Sequence, residues 1–394
     1  MTESPRGTAM TLAPGAAGDV EVSVVIPCLN EEKAIVSVIE AARAGLSGAG
    51  LTGEIVVVDN GSDDASAELA RAAGARVIDE SRRGYGSAYL AGLAAARGTY
   101  IVMTDADGTY PIESLGVFVS RLRDGADMVV GNRFGGTIHA GAMPWSNRYI
   151  GNPILSGMLN LLFRSGVRDA HCGLRALRRD ALPKLGLSAT GMEFASEMVI
   201  KAGKRRMRID EVPIDYRPRI GESKLVRVSD AWRHVRFMLV HSPTFLFVIP
   251  GAAAAAVGLG LLVYLAADTS LGERATGVSM ASGALTIIGA QIVMLGLFAR
   301  TYGIVYLGES DAPLERMWGS LRLEHGLLAS FVVLLAGVGV TLYSYFDGVH
   351  DPRLGMLGLT LVALGVQGGF ASFFLSILGL SEHAVLRRRS LPDR

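Results

Sequence analysis

The sequence lacks a large net charge, because 38 lysines and arginines nearly balance 37 aspartates and glutamates to give +1 at pH 7. A neutral chain has no bulk electrostatic attraction to nucleic acid, so no nucleic-acid partner is expected. Its two cysteines, Cys28 and Cys172, fit neither a zinc-binding spacing nor a disulfide framework. Residues 1–18 contain no long apolar run, which predicts a disordered tail and no secretory signal. These absences predict that the segment before residue 240 stays in the cytoplasm.

Hydrophobic residues are abundant: they make up 50% of the chain, and the mean hydropathy is +0.35. This excess lies almost wholly after residue 242, in four segments whose interiors contain no Asp, Glu, Lys or Arg: 244–266, 278–299, 326–346 and 354–380. Each is long enough to cross a ~30 Å hydrocarbon core at ~1.5 Å per residue. Buried helices of a soluble protein are the alternative, but four all-round apolar helices in one small domain disfavour it. Residues 243–380 are therefore predicted to form a four-helix transmembrane anchor, followed by a tail at 381–394.

The arginines around these segments predict the topology. The loops 267–277 and 347–353 hold one arginine each, whereas the other side holds Arg300, Arg316, Arg322, residues 387–389 and Arg394. By the positive-inside rule, both termini and the domain before the anchor face the cytoplasm, as in a cell inner-membrane protein. Residues 226–242 place apolar side chains on one helical face, which predicts an amphipathic interfacial helix. An ordinary surface helix is the alternative there.

Residues 19–225 alternate strand and helix patterns. Apolar, β-branched runs at 20–27, 53–59, 75–79, 98–104 and 126–130 predict strands with helices between them. Such alternation is typical of an α/β fold with a doubly wound sheet, whose ligand crevice lies at the carboxyl ends of the strands. The first strand leads into Pro27-Cys-Leu-Asn-Glu31 and not into G-x-G-x-x-G, which disfavours an NAD or FAD domain.

The triplet Asp105-Ala106-Asp107 follows the strand at 98–104. Two carboxylates at a strand end suit a hard cation such as Mg²⁺ or Mn²⁺. Such a cation would bridge the phosphates of a nucleotide-sugar and neutralise the charge of the leaving group. The simpler interpretation is that both aspartates cap a loop and the next helix.

Several motifs in order carry a family resemblance. Val24-Val-Ile-Pro-Cys-Leu-Asn-Glu31, Val57-Val-Asp-Asn-Gly-Ser62 and Thr104-Asp-Ala-Asp107 resemble the family 2 glycosyltransferases, which have the GT-A fold. Gly131-Asn-Arg-Phe134, Arg148, Asp169-Ala-His-Cys-Gly-Leu-Arg175 and Arg217-Pro-Arg-Ile-Gly-Glu-Ser-Lys-Leu225 resemble the branch that uses dolichyl or undecaprenyl phosphate. The resemblance covers residues 22–228.

The resemblance implies a role for each matching residue. Asp59 would hydrogen-bond the base, Asp105 would lie near the ribose and the metal, and Asp107 would be the main carboxylate ligand. The nucleotide pocket would be lined by Pro27, Leu29, Asn30 and Glu31. The acceptor phosphate would be held by Arg133, Arg148 and Asn152. A mobile loop carrying Arg219, Ser223 and Lys224 would close over the donor diphosphate.

Two positions depart from the pattern. Asn60 stands where the family has a second acidic residue beside Asp59, and Thr109 stands where close relatives have a side-chain amide metal ligand. We therefore leave open whether Thr109 contributes to the metal site. His171 and Cys172 lack further metal ligands nearby and are interpreted as packing residues. Glu193 and Glu197 are predicted to lie four residues apart on one helix face that borders the acceptor site, and an exposed helix face is the alternative for Glu193.

The resulting expectation is an inverting, metal-dependent transferase. It would move mannose or glucose from GDP-mannose or UDP-glucose to a polyprenyl phosphate at the cytoplasmic membrane face. A processive polysaccharide synthase is disfavoured, because the Gln-x-x-Arg-Trp motif is absent and the chain's two glutamines, Gln291 and Gln367, lie in membrane segments. The intact aspartate pair and arginine set disfavour a non-catalytic membrane scaffold. The sequence leaves open whether the chain forms a homo-oligomer.

Overall fold

A computed structural model describes residues 20–221, 227–268, 274–307, 323–346 and 351–389. The chain divides after Met238 into two compact units, Met1–Met238 and Leu239–Arg394. The predicted tail at 1–18, the loop residues Ser223 and Lys224, and several of the arginines used to predict topology lie outside the described residues.

The first unit is built on a seven-stranded sheet with the order β3-β2-β1-β4-β6-β5-β7. The strands are β1 (Val22–Cys28), β2 (Gly53–Asp59), β3 (Arg76–Asp79), β4 (Tyr100–Met103), β5 (Met128–Asn132), β6 (Arg175–Arg178) and β7 (Ile209–Pro213). The first four are mutually parallel, and every residue of β1 is buried. A central parallel strand is covered by helices on both faces, which explains the unbroken apolar run in its sequence.

The sequence pattern did not reveal β6. This strand is antiparallel to both of its neighbours, β4 and β5, so the sheet is mixed. It is four residues long, and the arginines at its two ends flank a single Ala-Leu pair, which is too short a run to predict a strand. The antiparallel insertion is nevertheless important, because the loop before β6 enters the candidate site.

The helices before the apolar segments are α1 (Ile35–Gly48), α2 (Ser66–Ala72), α3 (Tyr85–Ala95), α4 (Leu115–Arg123), α5 (Asn152–Phe163), α6 (Leu182–Leu185), α7 (Phe194–Lys204) and α8 (Arg227–Val240), of which α1 to α4 pack on the sheet. The sequence pattern predicts single helices over 112–123 and 144–163, and the structure divides each of them. A 3₁₀ turn, Ile112–Ser114, precedes α4, and a π turn, Asn147–Gly151, precedes α5. Pro153 lacks the backbone N–H that a continuous α-helix would use at this position. The helix therefore changes from π to α geometry just before Pro153.

The second unit contains the four predicted apolar helices. A π turn, Thr244–Val248, leads into α9 (Ile249–Ala267), followed by α10 (Arg274–Leu307), α11 (Leu323–Phe346) and α12 (Pro352–Arg389). Their candidate membrane spans are Thr244–Ala267, Ala275–Ile304, Leu323–Phe346 and Pro352–Leu378. Within the described ranges, these lengths and compositions confirm the prediction of four membrane-crossing helices.

Glycines allow these helices to approach one another closely. A Cβ atom on Gly258 of α9 would lie 2.7 Å from the carbonyl oxygen of Ser282 and 2.7 Å from the nitrogen of Thr286 on α10. In a lipid bilayer the hydrophobic effect does not drive helices together. Small residues let the helix backbones approach closely, and the resulting van der Waals contacts stabilise the helix pair. Gln367 Nε2 also donates a hydrogen bond of 3.2 Å to Gln291 Oε1, which joins the two membrane glutamines.

Candidate active site

Acidic side chains meet at the carboxyl ends of three adjacent parallel strands. Glu31 follows β1, Asp59 ends β2, and Asp105 follows β4. Asp59 Oδ2 accepts hydrogen bonds of 3.2 Å from the backbone N–H groups of Gly61 and Ser62. Its buried Oδ1 has no partner among the described residues. An acceptor oxygen is thus available at the position predicted for base recognition.

Asn60 has a structural role that a carboxylate could not perform. Its Nδ2 donates to the carbonyl oxygens of Glu80 (3.0 Å) and Arg82 (2.8 Å), and its Oδ1 accepts from the N–H of Gly84 (2.7 Å). A deprotonated carboxylate has no hydrogen to donate. The amide therefore joins the end of β2 to the turn before α3, which explains the first departure from the family pattern.

Asn30 and Glu31 are fixed by the next loop. Asn30 adopts a left-handed φ of 52°, its backbone N–H donates to Ser62 Oγ at 2.9 Å, and its Oδ1 accepts from Asp63 N–H at 2.7 Å. The backbone N–H of Glu31 donates to Ser66 Oγ at 2.8 Å. Pro27 lies within β1 beside β2, and Leu29 is half-buried. These four residues lie at or just beyond the carboxyl end of β1.

Asp105 is held by two tyrosines of α3. The Tyr85 and Tyr89 hydroxyls donate to Asp105 Oδ1 at 2.9 and 3.3 Å. The other oxygen, Oδ2, lies against Gly173, where a Cβ atom would be only 2.6 Å away. Burial, followed by repulsion from Asp107, raises the pKa of Asp105 from 3.8 to about 6. The sequence did not predict the tyrosines, because the glycine-rich start of α3 gave no reason to orient them.

Asp107 is oriented by its own loop. Its Oδ1 accepts from the Thr109 hydroxyl at 2.7 Å and from the Thr109 N–H at 3.1 Å. Thr109 is buried, and its hydroxyl is directed to the carboxylate. The other oxygen, Oδ2, lies 3.8 Å from Arg219 Nη1. The two hydrogen bonds from Thr109 therefore orient the Asp107 carboxylate.

Residues 217–221, here called the strap, cross this loop. The N–H of Arg217 donates to the Thr109 carbonyl at 3.0 Å, and the N–H of Ile220 donates to the Asp107 carbonyl at 2.9 Å. Arg219 Nη2 also donates to Glu31 Oε1 at 2.9 Å. Arg219 thus links Glu31, which follows β1, to Asp107 of the aspartate pair. The other two predicted loop residues, Ser223 and Lys224, follow outside the described range.

Arg133 is buried in an ion pair with Asp169. Its Nε and Nη2 each donate to a different oxygen of Asp169 at 2.7 Å, and its backbone N–H donates to the same carboxylate at 3.0 Å. The Tyr216 ring centre lies 5.2 Å from the guanidinium carbon. Asp169 raises the pKa of Arg133 well above its usual value, against the effect of burial. Bidentate pairing of this kind is geometrically specific.

Arg148 and Asn152 lie elsewhere, on the segment around the π turn. The Arg148 guanidinium carbon is 5.4 Å from the Tyr149 ring centre, and Asn152 Nδ2 is 3.6 Å from the sulfur of Met143. Within the described ranges, neither side chain makes a hydrogen bond or ion pair with the aspartate pair. The same segment exposes large apolar side chains: Trp145, Tyr149, Ile150, Ile154 and Leu161.

Comparisons with known proteins identify the family. Residues 23–186 match the model for glycosyl transferase family 2, and residues 297–379 match the family 2 C-terminal transmembrane region. The chain is 39% identical over 368 residues to the low-salt glycan biosynthesis hexosyltransferase Agl6 of Haloferax volcanii, covering 91% of this chain and 89% of that one. The chain belongs to glycosyltransferase family 2. It is a membrane protein of that family, with a GT-A-like domain before four apolar helices.

Further relatives of this glycosyltransferase include two named for lipid phosphates. The dolichyl-phosphate hexose transferase of Haloferax volcanii is 40% identical over 206 residues, covering 52% of this chain and 86% of the relative. The undecaprenyl-phosphate 4-deoxy-4-formamido-L-arabinose transferase of Salmonella dublin is 30% identical over 300 residues, covering 73% and 89%. Among solved structures, glucosyl-3-phosphoglycerate synthase of Mycobacterium tuberculosis is 25% identical with a TM-score of 0.46, covering 57% and 80%.

The aspartate pair of the glycosyltransferase fits a divalent cation. The described residues contain no group of three or more His, Cys, Asp or Glu side chains that could hold a metal alone. Mg²⁺, however, typically takes one or two carboxylates together with substrate phosphates and water. After burial, repulsion from Asp107 is the next cause of the raised pKa of Asp105. A cation between them would relieve this repulsion, so Asp105 and Asp107 would hold the metal jointly with a diphosphate.

The loop before β6 is locked by Arg175. This fully buried guanidinium donates to the carbonyl oxygens of Ala170 (2.7 Å), Cys172 (2.7 Å) and Ala195 (2.8 Å). Burial raises the pKa of Cys172 to about 12, so the thiol stays protonated at neutral pH. The packing role predicted for Cys172 agrees with this environment. These hydrogen bonds also hold Gly173 close to Asp105.

His171 packs between helices. Its Nε2 lies 3.1 Å from Ser196 Oγ on α7, and Ser196 Oγ lies 2.8 Å from Nδ1 of His234 on α8. Burial lowers the pKa of His171 well below 6.5, followed by the effect of His234. The imidazole is therefore neutral at pH 7, and its contacts agree with the predicted packing role.

Glu197 is buried, whereas Glu193 is half-buried and its Oε1 accepts from the N–H of Gly191 at 3.2 Å. The Glu197 carboxylate accepts from the backbone N–H groups of Ser188 and Ala189 at about 3 Å, and Lys201 Nζ lies 2.6 Å from Oε1. The loop that it holds continues to Thr190, whose carbonyl accepts from the N–H of Ser87 in α3 at 3.1 Å. Glu197 thus supports the helix that carries the two tyrosines.

Proposed function

We propose that this glycosyltransferase moves a hexose, mannose or glucose, from a nucleotide diphosphate-sugar to a polyprenyl phosphate, with inversion at the anomeric carbon. The observation that carries the proposal is the aspartate pair at the strand ends, placed under a strap whose Arg219 reaches both Asp107 and Glu31. The relatives named for dolichyl and undecaprenyl phosphate support a lipid-phosphate acceptor.

The donor nucleotide would lie across the ends of β1 and β2. Asp59 offers a buried acceptor oxygen for a base N–H, and the segment from Pro27 to Glu31 would line the pocket beside it. Both uracil and guanine carry an N–H that a carboxylate can accept. UDP-glucose and GDP-mannose are therefore the two donors to test. The diphosphate would then reach the aspartate pair below the strap.

The metal, when bound by Asp105 and Asp107, would supply positive charge to the leaving diphosphate. The remaining steps belong to the chain. Arg219 would leave Glu31 and Asp107 and pair with the diphosphate, so that the strap excludes water from the site. The acceptor phosphate is already anionic at neutral pH, so its oxygen attacks the anomeric carbon without a general base. A single displacement inverts that carbon, and the enzyme mainly positions the reactants.

The acceptor phosphate would be held by Arg133 and Arg148. Asp169 uses Nε and Nη2 of Arg133, and Nη1 makes no hydrogen bond within the described part of the chain. That group could donate to a phosphate oxygen, together with Arg148 and Asn152. The exposed apolar side chains around the π turn would suit the prenyl chain or the bilayer surface. We place the reaction on the cytoplasmic face of the cell inner membrane.

A transfer assay tests the proposal. Purified full-length protein in detergent is offered undecaprenyl phosphate with radiolabelled GDP-mannose or UDP-glucose, with Mn²⁺, Mg²⁺ or EDTA. We expect a lipid-linked sugar that forms with one donor and disappears with EDTA. Donor hydrolysis without a lipid product would contradict the proposed acceptor. Full transfer by an Asp107→Ala variant would contradict the metal site.

A matched pair of variants tests the acceptor site. Arg148→Ala should raise the KM for the lipid phosphate by about tenfold, which corresponds to the loss of one charged hydrogen bond, and should leave the KM for the donor unchanged. Arg121→Ala removes another arginine, on α4, and should leave both unchanged. An equal rise in both KM values for Arg148→Ala would overturn the assignment. Arg133 is less suitable for this test, because its loss would leave Asp169 buried without a partner.

A further inference from the structure

A cavity of about 620 Å³ opens at the edge of the sheet opposite the aspartate pair. Its wall includes Tyr100, the first residue of β4, whereas Asp105 follows the end of that strand. At about 3.3 Å per residue of strand, about 17 Å of chain separates the two residues. The cavity is therefore distinct from the candidate active site, and the proposed transfer gives it no role.

The cavity is strongly basic. Its wall contains four arginines and one acidic residue: Arg97, Arg123, Arg178, Arg179 and Asp180. Three separate parts of the fold supply the arginines. Arg97 precedes β4, Arg123 ends α4, and the other two lie at the end of β6. The antiparallel register pairs Arg178 with Tyr100, so the mixed sheet itself brings the β6 arginines to this edge.

Internal carboxylates neutralise only part of this charge. Arg178 pairs with both oxygens of Asp180, at 3.0 and 2.6 Å, and Arg123 pairs with Glu21 outside the wall. Arg179 Nη1 lies 3.4 Å from the Arg97 carbonyl oxygen. In contrast, the Arg97 guanidinium makes no hydrogen bond or ion pair with any group in the described ranges. The cavity therefore offers a forked donor without an internal acceptor.

This chemistry selects a phosphate. The planar guanidinium fork matches two phosphate oxygens at once. We infer that the arginine cavity is a second anion site, which binds a phosphate monoester through Arg97 and its neighbouring arginines. The phosphate would belong either to a free phosphorylated metabolite or to a phosphate-bearing lipid head group, and the two share the same recognition.

Equilibrium dialysis of radiolabelled orthophosphate against the full-length protein, in detergent with EDTA, tests this site. Arg97→Ala should weaken binding at the cavity about tenfold, because one charged hydrogen-bonding group is lost. Arg71→Ala removes another exposed arginine, paired with Asp79 outside the cavity, and should change nothing. Phosphate bound at the active site contributes equally to wild type and Arg97→Ala, so the difference between their isotherms measures the cavity.

A second variant guards against a folding defect. Asp180→Asn removes the negative charge from the wall and releases Arg178, so it should tighten phosphate binding severalfold. Misfolding would not produce tighter binding. Identical isotherms for wild type and Arg97→Ala, an equal loss in Arg71→Ala, or weaker binding in Asp180→Asn would each overturn the inference.

Competition identifies the source of the phosphate. Glycerol 3-phosphate and a short-chain phosphatidate, used below its micelle concentration, are each titrated against bound orthophosphate. Stronger displacement by the phosphatidate supports a lipid head group, and equal or stronger displacement by glycerol 3-phosphate supports a free phosphate ester. Failure of both to displace orthophosphate would overturn the site. None of these measurements depends on transferase activity, so this inference and the proposed function can fail separately.

Discussion

Replacing Asp105 by asparagine should stabilise the metal-free protein even though it removes a residue of the candidate active site. The native pKa of Asp105 is raised from 3.8 to about 6, mainly by burial and then by Asp107. At 1.36 kcal/mol per pKa unit, this shift corresponds to about 3 kcal/mol. That value is an upper limit, because Asp105 is only half-buried. The amide of the Asp105→Asn variant would keep an oxygen for the tyrosine hydroxyls and lose only the charge.

The sign of the effect depends on pH. Below pH 3.8 both states hold the proton, and the shift contributes nothing. Between pH 3.8 and about 6, unfolded chains lose the proton while the native state retains it, so wild-type stability falls as pH rises. Above pH 6 the whole unfavourable contribution is present. The gain from Asp105→Asn should therefore be near zero at pH 4 and largest at pH 7.5.

Thermal unfolding in detergent with EDTA, followed by intrinsic fluorescence, measures this gain. For a unit of about 200 residues, up to 3 kcal/mol corresponds to a Tm increase of up to about 10 °C at pH 7.5. Added Mn²⁺ should raise the Tm of wild type more than that of the variant. Asp63→Asn, which removes a carboxylate charge outside the pair, serves as the control. A gain that is absent at pH 7.5, or that is the same at pH 4, would refute the reasoning.

Three further outcomes follow from contacts in the site. Gly173→Ala should lower kcat about a hundredfold without loss of folding. The added Cβ would lie 2.6 Å from Asp105 Oδ2 and would displace that carboxylate oxygen. Normal activity of the variant would contradict this contact. Arg133→Ala should destabilise the protein by about 3–5 kcal/mol in denaturant unfolding, because it leaves Asp169 buried and unpaired, and Arg133→Lys should destabilise it less. Arg219→Ala should strengthen Mn²⁺ binding in the absence of donor, because the guanidinium that competes for Asp107 is removed. Electron paramagnetic resonance measures this binding, and weaker binding would contradict the pairing of Arg219 with Asp107.

The sequence predicted those parts of the fold that depend on local pattern. The apolar runs of β1 and β2 located the sheet, and the rule that ligands bind at strand carboxyl ends located Asp105 and Asp107. The four membrane helices also followed from length and composition alone. In each case the information lies within one continuous segment, so neighbouring residues suffice to recognise it.

Other features of the site could not be predicted, because they join distant segments. Arg133 and Asp169 are 36 residues apart, and Arg219 and Glu31 are 188 apart, so no local period relates them. The position of Asp169 also depends on β6, a strand too short to recognise. Asn60 illustrates a different limit: its identity showed that a charge was absent, but only its three hydrogen bonds showed what the amide does.

The aspartate pair breaks a general rule of protein interiors, and the surrounding residues show how the fold tolerates it. Two neighbouring carboxylates without a resident cation are unfavourable, and buried charges are usually paired or neutralised. Here each aspartate is oriented by neutral donors, the tyrosine hydroxyls of α3 for Asp105 and the Thr109 hydroxyl for Asp107, and Arg219 offsets only part of the charge of Asp107 from 3.8 Å. Such donors fix the geometry without cancelling the charge. The remaining charge is then available to a cation and a diphosphate, and a site that fully neutralised itself would bind both more weakly.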